Sequence, residues 1–172
     1  MAIKFIIAYL IFLTGYIGYL QCQKETPLHE IDIKFVEDKE YEVKFIGGKE
    51  KSGWIDLQSV RDISIGKGQF ALIPLGVAMR LPKGYEALIV PRSSTYFKHK
   101  IIQTNSCGVI DNAYSGDKDE WKMPVYATED TFIPAGTRLC QFRLMKIQDD
   151  VKFNKVQTLG DSNRGGFGST GK

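Results

Sequence analysis

Residues 70–81 read FALIPLGVAMRL. The run is apolar enough for a buried helix, but Pro74 and Gly76 stand inside it. Proline removes a backbone donor and glycine unlocks the chain, so the stretch reads as two strand halves around a bend. Working outward, Ile31, Ile33 and Phe35 alternate with Asp32, Lys34 and Val36, the pattern of a half-buried strand. Tyr41, Val43 and Phe45 alternate in the same way before Gly47-Gly48 closes the run. On the other side, Pro82-Lys83-Gly84 is a turn signal ahead of a strand at 85–90. Further strands are expected at 107–111, 123–127, 131–133, 137–146 and 151–156, set apart by Gly, Pro, Asp and Asn. One short helix is expected after Pro91, with Ser93 or Ser94 capping 95–98. Many short strands at close spacing predict an all-β barrel or sandwich in a single domain.

The composition agrees with a globular domain. The chain has 172 residues, 43% hydrophobic and 25% charged, enough for a core without a metal or disulfide staple. A net charge of +3 is too mild for a nucleic-acid binder, but it suits a polyanionic small ligand. Cysteine stands only at 22, 107 and 140 and histidine only at 29 and 99, which gives no zinc-ligand spacing and no disulfide framework. The thiols read as reduced residues of a cytoplasmic protein. Residues 5–20 (FIIAYLIFLTGYIGYL) carry no charge and sit near the lower length for a membrane span. Lys4 in front resembles the start of a signal peptide, but Tyr19, Leu20 and Gln21 do not make a cleavage site. Residues 1–28 are therefore expected to be an apolar extension outside the fold, whose only membrane contact would run through residues 5–20.

Five segments stand out from the β background. They are GWIDL at 53–57, PRSS at 91–94, GVIDNAYSGD at 108–117, GTRLCQ at 136–141 and RGGFGSTG at 164–171. Each alone has an ordinary reading: a strand start with a turn aspartate, a capped helix start, a hairpin turning at 111–113, a turn entering a strand, and a loose terminus. What they share is freed backbone N–H groups beside arginine, which hold phosphates in proteins that lack a P-loop. The P-loop pattern itself does not occur in the sequence.

In this order the five segments resemble the motifs of the trimeric dUTP diphosphatase family, the dUTPases, over about residues 31–171. GVIDNAY and RGGFGSTG carry most of the specificity. GWIDL, PRSSTYFK and QTNSCGVID resemble the branch found in Firmicutes and their phages. The resemblance implies a distorted jelly-roll β-barrel at 29–160 and a C-terminal lid arm at 161–172. It implies hydrolysis of dUTP to dUMP and pyrophosphate by water attacking the α-phosphorus. Asp111 would orient and deprotonate that water, since a carboxylate accepts from it and from the 3′-hydroxyl together. Tyr114 would lie under the deoxyribose and exclude UTP. Asn105 with Gly108, Val109 and Ile110 would form a hairpin reading the uracil edge. Arg92, Ser93, Ser94 and Gln141 would contact phosphates. Asp56 would support metal-bound water and pair with basic residues. Mg²⁺ would be held mainly by the phosphates and water.

In the tail, Arg164 would reach the γ-phosphate, Phe167 would stack on uracil, and Gly168, Ser169 and Thr170 would donate to phosphate oxygens. A homotrimer with shared sites is expected, with no nucleic-acid partner. The chain departs from the family pattern at four places: Trp54-Ile55 stand before Asp56 where many members have one residue, Ser94 stands where Gly is commonest, the fifth motif is two residues shorter, and 117–121 (DKDEW) changes the spacing after Tyr114. Trp121 there reads as packing. The rivals are a dCTP deaminase on the same fold and a phage-type dUTPase that also binds a regulatory protein.

Overall fold

The computed structural model of the chain describes residues 29–36, 40–45, 50–162 and 165–166. The apolar segment 5–20 and the tail residues Arg164, Phe167, Gly168, Ser169 and Thr170 lie outside the described residues. Among the described residues eleven strands and one short helix follow in order: β1 (Asp32–Phe35), β2 (Ile55–Gln58), β3 (Ile63–Ile65), β4 (Phe70–Pro74), β5 (Val77–Arg80), β6 (Tyr85–Pro91), α1 (Thr95–His99), β7 (Ile101–Gln103), β8 (Gly108–Ile110), β9 (Lys122–Ala127), β10 (Thr131–Ile133) and β11 (Arg138–Lys146). They form a four-stranded sheet β2-β11-β6-β8, a three-stranded sheet β4-β9-β7, and the pairs β1-β5 and β3-β10, every pairing antiparallel. No described helix is long and apolar enough to cross a membrane.

The bend inside FALIPLGVAMRL is where the fold turns. Gly76 sits between β4 and β5 at φ +69°, and a Cβ there would lie 2.1 Å from Val60 Cγ1. Only glycine meets both conditions. Its N–H donates to Glu120 Oε1 at 3.1 Å and its carbonyl accepts from Val36 N at 2.8 Å. The inward positions of both strand halves, Ile73, Leu75, Val77 and Met79, are buried in one core with Leu57, Ile89, Ile101, Leu139 and Phe142. Trp121 is fully buried and stands edge-on to Phe142, with ring centroids 5.2 Å apart. It is a core residue, as its reading as packing expects.

Several local expectations change. Of 41–46, the described residues form only a single bridge, Phe45 to Ile55, and Ile46 lies outside the described residues. Residues 151–156 alternate like a strand but pair with no described strand and are exposed, Phe153 to 91%. Asp56 is inside strand β2 and buried, not in a turn. The hairpins around 105–114 are not ladders. β7 belongs to the three-stranded sheet and β8 to the four-stranded one, so residues 104–107 bridge two sheets. After β8 the chain turns at 111–113 and runs on as a loop to Trp121.

Candidate active site

Strand order decides which side chains meet. In β2-β11-β6, register puts Gln141 opposite both Asp56 and Val90. Beyond the end of β6, the Arg92 N–H donates to the Leu139 carbonyl at 3.1 Å and so continues the ladder. Asp56 Oδ2 accepts from Arg92 Nε at 3.0 Å and from Arg138 Nη1 at 3.2 Å. The carboxylate is buried while the two guanidiniums remain partly exposed. Two cations are thus held on one buried anion, and each guanidinium is partly exposed, the kind of donor that suits an anionic phosphate. Burial, and then the nearby Asp56, push the Cys140 thiol far above its usual range, so it stays protonated and inert.

The PRSS segment turns directly after β6. Thr95 N donates to Arg92 O at 3.0 Å, and the buried Thr95 hydroxyl donates to Leu139 O. Ser94 occupies the N-cap of α1, but its hydroxyl makes no capping bond, which corrects the expectation of a serine side-chain cap. Ser93 is exposed and Ser94 half-buried beside the Arg92 turn.

At the other end of β8, Asp111 is exposed and fixed in a tight turn. Its Oδ1 accepts from Ala113 N at 2.7 Å, and its carbonyl accepts from Tyr114 N at 3.2 Å. Asn112 ties this turn to the body by donating to the carbonyls of Leu81, Pro82 and Tyr85. Tyr114 is 40% exposed and its hydroxyl donates to the Glu120 carbonyl at 3.2 Å. Desolvation, then Asp119 and Glu120, raise its phenol above the usual range. Gly108 lies where an added Cβ would come within 3.5 Å of Asn105 Nδ2, so Asn105 and Gly108 are neighbours as expected. Val109 is exposed and Ile110 half-buried on the same short strand.

The expected site residues therefore fall into two groups within one chain. Asp111 follows the Ala87–Ile110 pair of the β6–β8 ladder and so stands level with Glu86, whereas Arg92 lies beyond Pro91. Six residues of strand separate these levels, or about 20 Å at roughly 3.3 Å per residue. Arg138 was not singled out from the sequence, although it lies within GTRLCQ. An arginine three residues before a phosphate-contacting glutamine was the available signal. Gln103 and Glu120 were also missed, because each acts on another site residue. Among the described residues no group of three or more His, Cys, Asp or Glu is placed to hold a metal ion.

The dUTPase family model matches residues 45–171. The chain is 50% identical over 142 residues to an SPbeta prophage-derived deoxyuridine 5'-triphosphate nucleotidohydrolase of Bacillus subtilis, covering 83% of this chain and 98% of that relative. It is 38% identical over 126 residues to a deoxyuridine 5'-triphosphate nucleotidohydrolase of Finegoldia magna, covering 70% and 85%. Among solved structures, a Staphylococcus bacteriophage 80alpha dUTPase with dUPNHPP aligns at TM-score 0.64 and 20% identity, over 83% of this chain and 99% of that one. A dUTPase from phage phi11 of S. aureus, described with a structural Mg(II) ion, aligns at TM-score 0.64 and 15% identity, over 76% and 98%. These structural likenesses carry the jelly-roll fold.

Proposed function

The chain belongs to the dUTPase family, and we infer that it hydrolyses dUTP to dUMP and pyrophosphate. It is a dUTP diphosphatase. The observation that carries the mechanism is the placing of Asp111, an exposed carboxylate whose backbone and one oxygen are fixed by the turn that follows β8. Asp111 takes a proton from a water as the water oxygen bonds to the α-phosphorus. The bond from that phosphorus to the bridging oxygen then breaks, and pyrophosphate leaves with the electron pair. Tyr114, tethered through its hydroxyl, presents its ring to the sugar and leaves no room for a 2′-hydroxyl. Asn105 and the backbone of Gly108, Val109 and Ile110 read the base edge.

Arg92, Ser93, Ser94 and Gln141 hold the triphosphate, with Arg138 beside them. Asp56 keeps both guanidiniums oriented. The donors gathered here are guanidinium, amide and hydroxyl, which suit phosphate oxygens better than a bare cation. Magnesium would arrive on the triphosphate with its own waters, which Asp56 would support, and would supply charge neutralisation on the phosphates.

The separation of about 20 Å between the Asp111 and Arg92 levels is longer than one dUTP can bridge in place. One site therefore takes Asp111 and Tyr114 from one subunit and Arg92, Gln141 and Asp56 from another. A homotrimer supplies this arrangement, with the Arg164, Phe167, Gly168, Ser169 and Thr170 tail coming from the third subunit. The exposed apolar side chains of Val151, Phe153, Val156 and Leu159 support the reading, since a segment that crosses to a neighbour would cover them. Release of pyrophosphate from dUTP, dCTP, dTTP and UTP with magnesium tests the function. Turnover of dUTP alone is expected, and release of ammonia from dCTP would instead mark a deaminase.

A further inference from the structure

Gln103 is 6% exposed on β7, yet it reaches across to the other sheet. Its Nε2 donates to the Ile89 carbonyl at 3.1 Å and to Asn105 Oδ1 at 2.9 Å, while its Oε1 is buried with no partner among the described residues. Chemistry fixes the direction of this chain of bonds. A backbone carbonyl can only accept, so the Gln103 atom facing Ile89 is the nitrogen. The Asn105 atom facing that nitrogen is then the oxygen. Asn105 Nδ2 is left beside Gly108, 3.5 Å from where a Cβ would stand there. A buried amide with an orphaned acceptor is costly, and an apolar residue would pack there without that cost. Its retention is explained if polarity at Asn105 is what it provides.

We propose that Gln103 is a specificity-determining positioning residue that sets the Asn105 amide as a donor toward the 4-position of the pyrimidine. The inference rests on the reading of Asn105 as a base contact. A 4-oxo base presents an acceptor there and is bound. A 4-amino base presents a second donor and is refused, because two facing donors cannot satisfy each other. Without Gln103 the Asn105 amide is free to turn and offer its oxygen to cytosine.

The test is kcat/KM for dUTP and dCTP, with magnesium, in the full-length enzyme and in Gln103→Met, Gln103→Glu, Asn105→Ala and the Gln103→Met/Asn105→Ala pair. Methionine keeps length and volume without donors. Glutamate turns the site into an acceptor and reverses the amide of Asn105. Gln103→Met is expected to lower the dUTP-to-dCTP ratio about tenfold, and Gln103→Glu further. The paired variant should fall no lower than Asn105→Ala alone. Equal losses on both substrates in Gln103→Met, or in Gln103→Glu should the first fail to fold, would leave the ratio unchanged. With a collapsed ratio in Asn105→Ala, that result overturns the proposal while sparing the reading beneath it. An unchanged ratio in Asn105→Ala overturns both.

Discussion

Asp56 holds Arg92 through a single carboxylate oxygen at 3.0 Å, and the same oxygen holds Arg138 at 3.2 Å. A buried anion under two half-exposed cations serves assembly and binding at once. Removing it leaves two guanidiniums without their orienting partner, at the point where β2, β11 and β6 meet. Asp56→Ala is expected to cost about 2 kcal/mol of stability, below the range for fully buried pairs because both arginines reach solvent. Denaturant unfolding measures this. The KM for dUTP should rise about tenfold, the equivalent of about 1.4 kcal/mol of lost phosphate contact. A stability loss with unchanged KM would mean that the pair serves the fold only.

Asp111 is exposed and its own contacts lie within its turn, so its replacement tests chemistry with little effect on the fold. Asp111→Asn retains an oxygen to accept from Ala113 N and loses the ability to take a proton. The kcat should fall by a factor on the order of 10² or more with near-normal nucleotide binding. Steady-state kinetics with a binding titration separates the two effects. A normal kcat would remove Asp111 from the role of base.

The bend at Gly76 was legible because Pro74 and Gly76 interrupt an apolar run, and the structure turns there. The PRSS helix and the strand before Asp111 were legible for similar reasons, since their punctuation is strong. β3 and β7 were not, although β8 and β10 are equally short and were expected at 107–111 and 131–133. Residues 151–156 misled in the opposite direction. Their alternation is real, but no described strand of this chain receives it. At the site, direct ligand contacts follow from motif positions. Gln103, Arg138 and Glu120 escaped because they act through Asn105, Asp56 and Tyr114, and only the fold brings those partners together.

Gly76→Ala tests the bend. The substitution places a Cβ 2.1 Å from Val60 Cγ1 and demands φ +69° of an L-residue. Both penalties act on the core, and the expected loss is about 3 kcal/mol or more. Thermal unfolding reads it directly.

Tyr114→Ala should raise UTP turnover relative to dUTP by about tenfold or more, since the ring is the barrier to a 2′-hydroxyl. Tyr114→Phe keeps the ring but frees it from the Glu120 carbonyl, and a smaller loss of discrimination is expected. The phenol is raised above its ordinary value near 10 in the folded protein. Its donor bond is therefore fully present below the unfolded value and is lost only as pH rises through the folded one. Discrimination should stay flat from neutral pH up to about 10. Loss of discrimination nearer neutrality would point to another group as the gate.

Complementation tests whether the tail crosses between subunits. The chain from 148 to 162 is exposed and lies outside every described strand, with Phe153 at 91% and Leu159 at 88% exposure. A segment of that character leading into a glycine-rich motif suits an arm laid on a neighbour. Truncation after Gly160 should leave the strands through Lys146 intact, because the core residues all precede it, and should abolish most turnover. Full-length Asp111→Asn should be equally inactive for a different reason. Refolding or coexpressing the two together yields mixed trimers in which one site combines Asp111 of the truncated chain with the tail of the other. Partial recovery of dUTP turnover is expected. Failure to recover activity in mixed trimers verified by mass would mean that the tail closes over the site of its own subunit.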